Sequence, residues 1–149
     1  MALAYDKVFW DTVLTGLEAL LETELGPGVK IYLSGEHERR GTATVRLAPL
    51  ETAWLARESA GETRTYRVEL TYAAQVKPDR KGLEHLLDVQ ARINRLVTNN
   101  SDYRTGGTYS WHDARLENTR IYPSRQAREP EQVALVRSSF VCTVTEPIS

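Results

Sequence analysis

From Val133 to Val144 the chain carries apolar residues on both parities of an extended segment. Ala134, Val136, Phe140, Cys142 and Val144 share one side, and Val133, Leu135 and Val141 occupy the other. A strand with one face in water alternates apolar and polar residues, whereas one apolar on both sides belongs in the interior of a sheet. This segment therefore predicts a central strand that needs neighbours on both flanks, and Pro147 ends its ladder because it has no N–H to donate. The rest of the chain must supply those neighbours.

Three further stretches alternate in the same way. Val29, Ile31 and Leu33 follow the Gly26-Pro27-Gly28 breaker, Ala43-Val45-Leu47 forms a second set, and Tyr66, Val68, Leu70 and Tyr72 form the clearest one. The polar segment Glu36–Gly41 between the first two reads as a solvated loop joining neighbouring strands. Pro49 interrupts the next stretch, and Thr52–Ala56 either extends the strand past a kink or forms a short separate one. Arg57 to Arg64, with Gly61 and alternating charges, reads as another solvated turn.

Helical spacing appears twice. Phe9, Val13, Leu17, Leu20 and Leu21 recur every three or four residues in a segment running from about Asp6 to just before Gly26, and Trp10 and Leu14 widen its apolar stripe. Leu83, Leu86, Leu87, Gln90, Ile93 and Val97 trace a second stripe, closed by Thr98-Asn99-Asn100. The least regular part is Ser101 to Ser124, with Gly106-Gly107 at its tip and Tyr103, Tyr109, Trp111 and Tyr122 scattered through it. A long hairpin and an extended arm both fit. The resulting expectation is a single α+β domain over residues 1–149: a mainly antiparallel sheet packed by two helices, with an extended aromatic arm or hairpin at about 101–124.

Composition narrows the function. With 149 residues, 41% hydrophobic and 26% charged, the chain is that of an ordinary globular domain. Nineteen basic against twenty acidic side chains give a net charge of -1, which argues against a protein built to coat nucleic acid. The most apolar stretch, Val8 to Leu25, is broken by Asp11, Glu18, Glu22 and Glu24, so no membrane span is expected. Met1 to Asp6 has no basic segment leading into an apolar core, and the single Cys142 has no partner, so a reducing cytoplasm is the expected setting.

Chemical motifs are weak. His37, His85 and His112 are dispersed and Cys142 stands alone, so no metal site is expected. Ser110-Trp111-His112-Asp113 holds the residue types of a hydrolytic triad, but adjacent residues of an extended chain point to opposite sides and His112 cannot be oriented by Asp113. Thr105-Gly106-Gly107-Thr108 lacks the lysine and glycine spacing of a phosphate loop, and Asn99-Asn100-Ser101 matches a glycosylation acceptor without a secretory signal. Cys142, on an apolar side, reads as an inert buried thiol. No enzyme activity and no cofactor are expected. The aromatic and basic residues Tyr103, Arg104, Tyr109, Trp111, Arg115, Arg120 and Tyr122 suit a protein interface better than a base-stacking surface, because Asp102, Asp113 and Glu117 dilute their charge.

The order of elements resembles the tail terminator family of long-tailed bacteriophages and related phage-like particles. The resemblance lies in a helix at Lys7 to Leu25 leading into Val29–Leu33, the strand Arg67–Ala73 running into a helix at Gly82 to Val97, and the closing strand Val133–Val144. It implies a viral structural protein that forms a six-membered ring, caps the tail tube, stops its polymerisation and joins it to the head connector. The implied partners are further copies of the chain, the tail tube protein and the head–tail connector or stopper protein, with DNA passing through the channel unbound. The implied location is the head-proximal end of the virion tail, after assembly in the host cytoplasm. The expected interface residues are Trp10, Leu14, Arg39, Arg40, Arg57, Glu58, Glu62, Arg64, Tyr103, Arg104, Tyr109 and Trp111, with Arg57 to Arg64 as a projecting contact loop. The alternatives are a head-completion or stopper protein of the same junction and a small nucleic-acid-binding module using the arm.

Overall fold

The computed structural model describes residues 8–33, 43–58, 61–75, 79–104, 109–122 and 133–147. It corrects the expected fold class. Among the described residues the molecule is mostly sheet, curled into a six-stranded half-barrel with two helices, rather than an α+β layer of two helices on a sheet. The reason lies in strand length. β2 (Ala43–Glu58), β3 (Gly61–Gln75) and β6 (Val133–Pro147) pair along nearly their whole extent, and long twisted strands coil into a trough that encloses much of its own core.

The strand order is β1-β2-β3-β6-β5-β4, with β1 at Val29–Leu33, β4 at Tyr103–Arg104 and β5 at Ser110–Tyr122. β6 thus lies between β3 and β5, in the interior of the sheet. It pairs with β3 without interruption from Gly61↔Pro147 to Gln75↔Val133. β1 and β2 are neighbours, but their pairing is parallel, unlike the antiparallel links elsewhere. The intervening loop, expected from Glu36 to Gly41, lies outside the described residues, as do Arg39 and Arg40.

Cross-strand partners share a face, so the registers define the core. Val45, Leu47, Tyr66, Val68, Leu70, Tyr72, Val136, Phe140, Cys142 and Val144 fall on one side of the sheet and are buried. Thr65, Arg67, Glu69, Thr71, Arg137 and Ser139 fall on the other. This second face is mostly polar, and it explains how β6 can be apolar on both sides: Val141 is buried there between Arg67 and Arg115, whose guanidiniums both reach Glu117.

The first helix starts with a π-wound segment, Phe9–Leu14, and continues as α1, Thr15–Leu25. The Trp10 carbonyl, five residues back, accepts from both the Thr15 backbone N–H and its Oγ1 (2.8 Å for the latter). The wound segment touches β2, β3 and β5, strands on both sides of the sheet's middle, which places it in the hollow of the curl. This is why Thr12, Val13 and Leu14 are buried in succession. α1 stops at Gly26, whose φ of 69° favours glycine and whose N–H donates to the Glu22 carbonyl.

α2 spans Arg80–Asn99. Asp79 caps it by accepting the Gly82 N–H at 2.8 Å, and the buried stripe Leu86, Val89, Ile93 and Val97 faces β5, β6 and α1. At its other end Asn100 Nδ2 donates to the Leu96 carbonyl. Arg92 ties the two helices together by donating to the backbone carbonyl and carboxylate of Glu24. No described helix is long and apolar enough to cross a membrane.

Candidate functional site

The expected interface residues separate into three groups. Leu14 and Trp111 are in the core, 2% and 1% exposed, and offer no surface to a partner. Trp111 packs edge-on to Phe140 (5.3 Å between centroids) and against Tyr103 (4.9 Å), and its Nε1–H donates to the Asn100 carbonyl at 2.8 Å. That bond fastens the end of α2 to the sheet. Tyr103 and Tyr109 are partly buried against the same core, and the described strands of the expected arm, Tyr103–Arg104 and Ser110–Tyr122, pair within the sheet rather than standing free of it. Arg104 is exposed beside them.

The second group lies along the β2–β3 hairpin. Arg57 to Arg64 is not a projecting loop, because β2 runs to Glu58 and β3 begins at Gly61, with Arg57↔Glu62 and Glu58↔Gly61 in register. Charges alternating with period two suit a half-exposed strand as well as a turn, which is why the sequence pattern misled. Glu62 and Arg64, two residues apart on β3, form an ion pair at 3.4 Å. Arg57 and Glu58 are positions on the β2 backbone beside them.

The third group is exposed and apolar, and sequence reasoning identified only part of it. Trp10 is 50% exposed. Leu50, Trp54 and Leu55, which were not among the expected interface residues, are 50%, 57% and 53% exposed and all belong to the half of β2 beyond Leu47, where β1 ends. A β-bulge at each of Leu50 and Leu55 interrupts the register and continues the strand past Pro49, which settles the alternative left open for Thr52–Ala56. The available signal was a tryptophan and two leucines in a stretch whose alternation fails. Large apolar side chains gathered on one exposed strand mark a surface built to be covered.

The residue types of the triad do not come together among the described residues. Ser110 and Asp113 are exposed, and no hydrogen bond joins them to His112 among the described residues. Asp113 sits at a bulge with φ of 52°, and its carbonyl accepts from Arg115. No group of three His, Cys, Asp or Glu could hold a metal among the described residues. Burial pushes the Cys142 thiol up to about 12, so it is not a thiolate near neutral pH. Burial and the Glu146 carboxylate, to which Tyr66 donates at 2.7 Å, raise the Tyr66 phenol above its ordinary range. On the polar face, Arg67 and Arg115 hold Glu117 below the usual carboxylate range.

No family model matches the chain, and no curated protein is significantly similar to it.

Proposed function

We propose that this protein is a ring-forming structural subunit of the phage tail terminator kind. Copies would close a ring on the last ring of the tail tube, stop its polymerisation and present a surface to the head connector, at the head-proximal end of the tail. The observation that carries the reading is the run of exposed large apolar residues on one strand, Leu50, Trp54 and Leu55, in a molecule that otherwise buries a large apolar core. A chain that works by contact needs such a surface. In a ring, each protomer offers one surface to its left neighbour and a different one to its right. Six copies is the number the resemblance implies. The partners on this reading are the tube protein below, the connector or stopper protein above, and DNA that passes through without specific contacts, which a net charge of -1 accommodates.

The rival reading as a nucleic-acid-binding module loses its strongest stacking side chain, because the Trp111 ring is buried. The test is light scattering coupled to size exclusion, with negative-stain imaging at high concentration and on preassembled tubes of the cognate tube protein. Annular assemblies and capped tubes of arrested length are expected. A protomer that stays single on the tube template, with tube growth unaltered, overturns the proposal.

A further inference from the structure

β1 accompanies β2 only from Ala43 to Leu47, so among the described residues the outer edge of β2 from Ala48 to Glu58 has no strand beside it. On the other side of the sheet, β4 accompanies β5 only at Ser110 and Trp111, and the Ser101 carbonyl takes the Ala114 N–H. From Arg115 to Tyr122 the outer edge of β5 has no described strand either. Unpaired edges are templates for adding another strand.

Topology relates these two edges. Strand direction reverses at each step from β2 through β3 and β6 to β5, so β5 runs antiparallel to β2. A second copy placed head to tail in the same orientation therefore brings its β2 edge against the first copy's β5 edge as an antiparallel pair. The two free stretches lie toward opposite ends of the sheet, the β2 stretch near Gly61↔Pro147 and the β5 stretch near Gln75↔Val133. The contact is thus heterologous, stepping along the strands, and not a two-fold dimer.

Charge matches across the same contact. Glu51 stands opposite Arg67, and Arg120 stands opposite Arg137, which in turn faces Thr71; Arg67 and Thr71 share a face of β3, so Glu51 and Arg120 are both on the polar face. Both are exposed, and neither has a hydrogen-bonding or ionic partner among the described residues. Arg120 instead has another cation for a neighbour, Arg137, which is itself paired with Glu69 at 3.1 Å. Leu50 adjoins Glu51, and Ile121 and Tyr122 follow Arg120, so each charge borders apolar surface.

We propose that protomers join edge to edge, the outer edge of β2 in one against that of β5 in the next, with Glu51 and Arg120 forming an intersubunit ion pair that sets the register. The bulges at Leu50, Leu55 and Asn118-Thr119 make both edges poor templates for a chance strand and select the matching one. The proposal rests on the ring reading above for closure of the assembly.

The test is charge reversal. Glu51→Arg and Arg120→Glu are each expected to weaken self-association at least roughly tenfold in sedimentation, and the double variant to recover it to within roughly threefold, with all three melting like the parent because both side chains are exposed. Oxidation of a Glu51→Cys/Arg120→Cys variant, with buried Cys142 left in place, is expected to give a ladder of linked multimers. Reversals without effect, or a double variant that fails to recover, overturn the edge contact. If rings nevertheless form, the ring reading stands without it. Linked open filaments that never close support the edge contact and overturn the ring. Failure of the parent to associate even on a tube template overturns both.

Discussion

β6 and the outer half of β2 are both long strand segments with several large apolar residues, yet they do opposite work. β6 is paired on both sides, in unbroken register with β3, and Phe140 to Val144 are all buried. β2 beyond Leu47 is paired on one side among the described residues, bulged twice, and holds Leu50, Trp54 and Leu55 at the surface. The difference teaches that hydrophobicity alone does not assign a strand to the core. What decides is whether neighbours cover both edges and both faces.

The comparison can be broken by truncating each region. Phe140→Ala is expected to cost about 3–5 kcal/mol in denaturant unfolding, since it removes a fully buried ring that also supports Trp111. Trp54→Ala is expected to change stability by less than about 0.5 kcal/mol while weakening assembly. Equal losses of stability would erase the distinction between the regions.

β5 sharpens it, since that strand is core at one end and edge at the other. Trp111→Phe keeps most of the ring but strands the Asn100 carbonyl, and a loss of about 1–3 kcal/mol is expected. Farther along, Asn118 has a φ of 53° at a bulge. Asn118→Val is expected to cost about 1–2 kcal/mol and Asn118→Gly almost nothing, both read from thermal melts.

The smallest effect concerns the polar face. Because Arg67 and Arg115 lower the Glu117 pKa, its contribution to stability is fully present above the ordinary glutamate value of about 4.3 and is lost as pH falls through the lower folded value. Glu117→Gln is expected to flatten this acid limb while changing neutral-pH stability by less than about 1 kcal/mol, because the cluster is partly solvated. An acid limb of unchanged slope would show that the cluster acts only by covering Val141.

Legibility in the sequence followed regularity of the backbone. β3 and β6 keep period two on their core face, so the buried residues there could be chosen from spacing alone. In α2 spacing found Leu86, Ile93 and Val97 but also placed Leu83 and Leu87 in the stripe, each 45% exposed, and missed the buried Val89, because spacing alone does not show how far round the helix its neighbours reach. β5 could not be read, because its bulges shift the buried parity from Trp111 to Ala114, and an alternation that slips resembles an irregular arm. The same slip in β2 hid Leu50 and Leu55 from the expected interface. Leu14 was misassigned because nothing in a helical stripe shows that the curled sheet wraps around it.

The amino-acid pattern by itself determined which strand must lie in the middle, where both helices run, and that Cys142 is buried, since each of these is a local consequence of side-chain period. Tertiary structure decided the curl of the sheet, the parallel pairing of β1, and the placement of Trp111 in the core and Trp54 outside it. Those outcomes depend on which distant strand supplies the covering neighbour, and a single chain segment carries no record of its partner across the sheet.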